Sequence, residues 1–411
     1  MAKALFLSLP LAGHINPSLP LVRELVGRGD EVAYYATEAF AAKIAGSLGG
    51  YRPYRNAFLR DLRQLPERIH ELSSLLMTTT AEVLEQELET FRADRPDYVI
   101  TDSVAPWGAW VGKLLGVPVV TSISTFALNR RVSQFAFAHG IRPASTRLVL
   151  SKLRHVARAL LIGRKLRHLY RVRDPGLRGL MFPGSDLNIV YTSRYFQPCA
   201  ETFDERYRFI GPSITDRKES DGFPWEQVQH RVMVYVSLGT LFNTDGGFYR
   251  KCFEAFRDQN VQVILSTGAN VSMETVGAPP SNFIVRSYVP QLDVLERAAV
   301  FVTHGGMNSV NESLYYGVPV VVVPQMSEQA LVGRRVEELG AGIYLAKEEV
   351  TSEKLRESVN RVLAETSFRE HAALVRKSFL TAGGVSEAAD AIVAFTSKGR
   401  LGTGVNRGSS A

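Results

Sequence analysis

Residues 288–329 read YVPQLDVLERAAVFVTHGGMNSVNESLYYGVPVVVVPQMSEQ. Two apolar runs stand out, Val300–Thr303 and Val318–Val323. Each gives way to a polar turn and then to a helical pattern, over Ser309–Tyr316 and Gln329–Leu339. Runs that are apolar at every position, rather than at alternate ones, belong to strands covered on both faces. The helix that follows each run is one of the covers. The stretch therefore predicts consecutive β-α units in a parallel sheet.

Working outward, the same alternation fills both halves of the chain. Strands are predicted at Ala4–Leu9, Val32–Ala36, Tyr98–Thr101 and Val117–Ser122, then at Val232–Ser237, Gln262–Ser266 and Phe283–Ser287. Helical patterns cover Ser18–Val26, Thr80–Phe91 and Tyr249–Arg257. The series breaks once, in GPSITDRKESDGFPWEQVQ (211–229), a polar stretch with no apolar period. The reading is α/β: two doubly wound, Rossmann-like domains facing each other across a cleft. The N-terminal domain spans 1–211, the linker 212–230 and the C-terminal domain 231–385. A last helix at 386–397 is expected to return to the N-terminal domain, and 398–411 to form a flexible tail.

Composition narrows the function classes. The 411 residues are 45% hydrophobic and 22% charged, as in a folded globular protein. No apolar run approaches the ~18 residues a membrane span needs, and Pro10, Gly13 and Pro17 interrupt the apolar N-terminus, so a cytoplasmic protein is expected. Two cysteines, Cys199 and Cys252, build no disulfide framework. The net charge is +7, yet Ser151–Pro175 alone holds eight basic residues against one acid. The remainder of the chain is neutral. That segment could be a solvated helix or a peripheral contact with anionic lipid; without interleaved aromatics it does not suggest a nucleic-acid partner. No strand leads into G-x-G-x-x-G, which disfavours a dinucleotide oxidoreductase, and no D-x-D is present.

Chemistry-bearing residues gather where strands end, the place at which open parallel sheets collect ligands. The first strand runs into LAGHINP, putting His14 there, and the strand before Asp102 ends at that acid. Asp102 could orient the imidazole as an acid orients a general base, or it could simply cap the following helix. His304-Gly305-Gly306 ends another strand, and the helix starting near Asn308 and Ser309 offers an anion its unpaired N–H groups. Glu312 lies one turn on, where a carboxylate suits a vicinal diol such as ribose. Glu328 and Gln329 follow the next strand and could hold sugar hydroxyls. Tyr288, ahead of Val289 and Gln291, offers a flat face for a base. Each of these residues also has an ordinary structural use as a cap, a solvated helix residue or core.

Taken together, these residues resemble the family 1 glycosyltransferases of GT-B fold, in particular bacterial macrolide and flavonoid glycosyltransferases. The likeness covers the GHINP turn, Asp102, Ser237-Leu238-Gly239-Thr240 and the 288–329 stretch. The resemblance implies His14 as general base and Asp102 as its partner. It implies that Thr240, His304, Asn308 and Ser309, with the Gly306 backbone, hold the diphosphate, with Ser124 within reach. Glu312 would bind ribose, Tyr288 would stack on uracil, and Glu328 and Gln329 would hold the sugar; Ser237, Gly239, Val289 and Gln291 complete the donor site. Tyr288 stands where the family usually has Trp, and Gln329 leans the donor towards glucose.

The implied reaction transfers a sugar from UDP-glucose with inversion to a hydroxyl of an apolar small molecule. UDP-sugar is the co-substrate, no metal or other cofactor is needed and no obligate protein partner is evident. Met77, Trp107, Phe126, Phe135 and Phe137 are candidates to line the acceptor site. Two alternatives are a lipid- or sterol-acceptor glycosyltransferase at a membrane surface and a catalytically silent nucleotide-sugar-binding partner.

Overall fold

The computed structural model describes the chain apart from residues 61–68, 142–145, 172–183, 215–221, 230, 240–245, 269–270, 272–275 and 404–411. Two compact units emerge. One holds Met1–Phe135, Arg142–Ser213 and Ala382–Ala411; the other holds Ala136–Ile141 and Ile214–Thr381.

The first unit is built on a seven-stranded parallel sheet. Its strands are β1 (Lys3–Leu7), β2 (Glu31–Ala36), β3 (Gly50–Pro53), β4 (Tyr98–Asp102), β5 (Val119–Ile123), β6 (Leu187–Val190) and β7 (Tyr207–Phe209). They lie side by side in the order β3-β2-β1-β4-β5-β6-β7. Alternation along β1 supplies both faces. Ala4 and Phe6 pack into one core with Tyr34, Ile100 and Ile189, and Leu5 and Leu7 into the other with Val99, Trp107 and Phe91. The second unit has β8 (Val232–Ser237), β9 (Val261–Ser266), β10 (Phe283–Arg286), β11 (Val300–Thr303), β12 (Val320–Val322) and β13 (Gly342–Tyr344). Its parallel order is β10-β9-β8-β11-β12-β13.

Both sheets reverse their strand order once, between β1 and β4 and between β8 and β11. Helices leaving those paired strands depart to opposite faces. Their first turns part and leave a crevice outside the strand ends, which is the ligand position of doubly wound sheets.

Several sequence expectations change. The first helix is Ala12–Gly27, not Ser18–Val26, so His14 sits in a helical first turn. Pro17 and Pro20 lie inside it; the expected helix already ran through Pro20 but began only after Pro17, which lacks an N–H donor. Strands β3, β6, β7 and β13 were absent from the sequence reading. They are three or four residues long, and β3, β7 and β13 are sheet edges. The last helix runs Gly384–Thr403, so 398–403 is helix and not tail, and the rest of the predicted tail lies outside the described residues. Part of the predicted linker falls outside the described residues. The last helix belongs to the first unit. Ala388, Ala389 and Ile392 enter its core, and Arg28 at the end of the His14 helix binds Asp390 and the Ser386 hydroxyl.

Two candidate acceptor-lining residues are core. Trp107 is fully buried and its indole N–H donates to the Tyr54 hydroxyl at 3.1 Å, while Met77 packs into the same cluster. Phe126 is buried against Phe196, and Phe137 is exposed.

Packing of β13 generates a prediction. A Cβ at Gly342 would collide with the backbone carbonyl of Val320 and reach 2.9 Å from Val336 Cγ1. Backbone cannot swing aside as a side chain can, so Gly342→Ala should lower stability by about 1–3 kcal/mol. Urea unfolding checks this, and an unchanged midpoint would show that the β12–β13 contact is looser than described.

Candidate active site

The reversal in the first sheet brings three strand ends together. Register pairs Leu7 of β1 with Thr101 of β4, and Asp102 with Ser122 of β5. The residue following each strand pair therefore lands beside Asp102. Ser8 Oγ donates to Asp102 Oδ2 at 3.4 Å. Ser124 Oγ lies 3.0 Å from His14 Nδ1. The Asp102 carboxylate is buried and its Oδ2 stands 2.8 Å from His14 Nδ1, whereas the imidazole is partly open. Its other oxygen, Oδ1, accepts the Val104 backbone N–H at 3.0 Å.

Asp102 does not cap the following helix, whose N-cap is Ala105 without a side-chain bond. One oxygen turns the chain towards the next helix and the other meets the imidazole. A carboxylate accepts and does not donate, so the hydrogen between them resides on Nδ1 and the lone pair on Nε2. Ser8 is a member of this cluster that motif reading missed. Its signal was faint, a serine directly after the first apolar strand.

The second reversal assembles different chemistry. Thr303 pairs with Ser237, so the residues that leave β8 and β11 run side by side. Gly239 has φ +78°, and a Cβ there would stand 2.7 Å from His304 Cε1. A Cβ on Gly306 would overlap His304 Nε2. The imidazole is therefore packed between Gly239 and Gly306, and a Cβ at either would press on its ring. Loss of solvation pushes its pKa down to about 4, opposed by a bond to the Ser237 backbone. His304 is neutral at pH 7.

Gly305, with φ +87°, completes the turn, and its Cβ would come 3.0 Å from the Gln329 carbonyl. Gly306 then N-caps the helix Met307–Tyr315 without a capping side chain. First-turn N–H groups have no acceptor within a helix, and the dipole's positive end coincides with them. Asn308 and Ser309 sit in that turn, both half-buried.

Glu312 is buried one turn later, and Gln291 Nε2 donates to its carboxylate at 2.5 Å. Gln291 Oε1 in turn accepts the Tyr235 hydroxyl at 3.2 Å. Gln329 is buried and its Oε1 accepts the Gln325 N–H at 2.7 Å. Glu328 is exposed in the first turn of the helix Ser327–Glu338. Tyr288 is 58% exposed beside the buried Val289. Thr240 lies outside the described residues. Direct contacts thus tie His304 to Gly239, Gly306 and Ser237, and Glu312 to Gln291. Tyr235 has no motif signal because its role arises only through tertiary approach, whereas Gln325 bonds a residue four positions on. Among the described residues, no group of three or more His, Cys, Asp or Glu is placed to hold a metal ion.

Two doubly wound units, one with a glycine turn at a helix start and the other with an imidazole–carboxylate pair at its switch point, have the architecture of the GT-B fold. Comparison with known proteins agrees. Residues 251–395 match the family described as Erythromycin biosynthesis protein CIII-like, C-terminal domain. The NDP-glycosyltransferase YjiC of Bacillus subtilis (strain 168) is 37% identical over 95% of this chain and 97% of its own. The uncharacterized UDP-glucosyltransferase YojK of the same organism is 34% identical over 96% and 97%. The crystal structure of CalG4, the calicheamicin glycosyltransferase, superposes with a TM-score of 0.78 at 29% identity, covering 96% of this chain and 98% of that one. The chain belongs to the nucleotide-sugar glycosyltransferases of GT-B fold, related to the bacterial natural-product enzymes of macrolide type.

The His304 environment makes a pH prediction. Its folded value of about 4 lies below the ordinary 6.5. Between those values the unfolded chain binds a proton that the folded chain does not, so stability falls as pH drops through that window. Denaturant unfolding at pH 7 and pH 4.5 should show a smaller loss for His304→Gln than for the wild type. Equal losses would mean that His304 titrates normally in the fold.

Proposed function

We propose that the enzyme is an inverting glycosyltransferase. It moves a sugar, glucose from UDP-glucose, to a hydroxyl of an apolar small molecule such as a macrolide, a flavonoid or another polyphenol. The observation that supports this reading most is the 2.8 Å contact between His14 Nδ1 and Asp102 Oδ2. With Nδ1 committed to the carboxylate, Nε2 takes the proton of the acceptor hydroxyl. The oxygen's electron pair forms the bond to the anomeric carbon while the bond to the diphosphate oxygen breaks, and UDP leaves with that pair. Attack opposite the leaving group converts an α-linked donor into a β-glycoside. Asp102 stabilises the imidazolium formed on the way, and Ser124 Oγ steadies the ring at the same nitrogen.

The second unit supplies the donor's partners in this reading. First-turn N–H groups at Met307–Ser309 and the Asn308 and Ser309 side chains receive the diphosphate. No divalent cation is required. His304 is neutral and its single N–H is given to the Ser237 backbone carbonyl, so it supports the turn rather than binding the diphosphate. Glu312, kept in place by Gln291, accepts from the ribose hydroxyls. Tyr288 presents its exposed ring to uracil, next to Val289. Gln329, its Oε1 spent on Gln325, meets the sugar as a donor, and Glu328 beside it as an acceptor. A UDP-linked glucose also agrees with the name given to the relative YojK.

General-base assistance contributes about 10²–10⁴-fold, so His14→Ala should lose turnover by that order while UDP affinity persists. Transfer rates with a phenolic acceptor and UDP titration read the two quantities separately. Full activity would remove His14 from the base role. Absence of UDP release from wild type across an acceptor panel would favour a silent nucleotide-sugar-binding partner. Ser309→Ala and Glu312→Ala should instead weaken UDP binding, and unchanged affinity in both would refute the nucleotide assignment.

A further inference from the structure

Neither switch point uses the chain's positive charge. It is concentrated on the helix Thr146–Tyr170, whose sequence TRLVLSKLRHVARALLIGRKLRHLY contains no acid. The inner side is settled: Ala159, Gly163 and Leu166 are buried, and the helix packs on Ile69–Ala93. The outer side is not simply polar. Leu153, Leu161 and Leu169 are 59%, 68% and 65% exposed. At 100° per residue their eight-residue spacing keeps all three within one outward arc of about 160°. Arg154, Arg158, Arg164 and Lys165 are exposed on that same arc, with Arg167 at its border.

Single exposed leucines are unremarkable, but three on one face, each flanked by cations and unrelieved by any acid, are a pattern. A face made for water has no use for the leucines. A face made for nucleic acid would interleave aromatic residues, and the arc has none. Guanidinium and ammonium groups at phosphate level, with aliphatic tips reaching ~5–10 Å into the acyl boundary, match the surface of an anionic bilayer. No helix among the described residues is long and apolar enough to cross a membrane.

We propose that the outward face of Thr146–Tyr170 docks on anionic lipid, with the helix lying in the plane of the headgroups. The site is separate from the transferase residues, so the claim stands or falls independently of the reaction. The probe is vesicles of phosphatidylcholine containing about one-third phosphatidylglycerol, with pure phosphatidylcholine beside them, sedimented with the full chain at about 0.05 M and about 0.5 M salt. Binding should require the anionic lipid and fall steeply with salt. Arg158→Gln with Lys165→Gln should lower partitioning about thirtyfold, at roughly fivefold per charge. Leu161→Gln should lower it about tenfold. Both variants should keep the wild-type melting temperature and transfer rate on a water-soluble acceptor.

Equal binding to neutral vesicles, or none to anionic ones, would overturn the proposal. So would wild-type partitioning by Leu161→Gln, which would leave only a non-specific polycation. Preference for single-stranded nucleic acid over vesicles in competition, or self-association that Leu161→Gln abolishes, would assign the face to a different occupant.

Discussion

A single constraint organises both units: a parallel sheet in which neighbouring strands send their connections to opposite faces at one point. Strand β1 continues into the His14 helix and β4 into the turn at Asp102, so register alone delivers an imidazole and a carboxylate to the same crevice. In the second sheet, β8 and β11 do the same for Gly239 and His304. The chemistry differs, but the location is set by the same feature of topology.

The two crevices handle burial in contrasting ways. Asp102 is a buried acid whose oxygens are supplied with partners from Ser8, His14 and the Val104 backbone. It is held rigidly, and the imidazole it faces remains partly open. His304 is gripped by shape instead. Glycines on both sides bring backbone against its ring, and the resulting loss of water keeps it uncharged. With the ring uncharged and its N–H given to Ser237, the N–H groups of the glycine-capped helix start are what the turn offers an anion. Gln291 plays a comparable part for Glu312, fixing a carboxylate whose position the helix alone would leave to rotamer choice.

Much of this was legible in the amino-acid order, for identifiable reasons. Long apolar strands such as Val232–Ser237 and Val300–Thr303 announce themselves, and strand ends followed by His14, Asp102 or His304-Gly305-Gly306 mark the crevices. Short strands did not. In β6, Leu187–Val190, buried Asn188 breaks the apolar run, yet its amide binds Ser185 and Arg206. The start of the His14 helix is hidden by Gly13 and Pro17, which resemble turn signals, although the helix tolerates both. Trp107 and Met77 looked like lining and are core, since an aromatic or a Met at helical spacing does not reveal which neighbour it meets. Contacts between distant residues, such as Ser124 with His14 or Gln291 with Glu312, have no local signature at all.

The central claim is that Asp102 acts on the reaction through His14 and not independently of it. A double-mutant cycle on turnover tests this directly, combining Asp102→Asn with His14→Ala. If the pair works as a unit, Asp102→Asn reduces the rate in the wild-type background and costs nothing further once His14 is gone. Additive losses would contradict the account and give Asp102 a separate role.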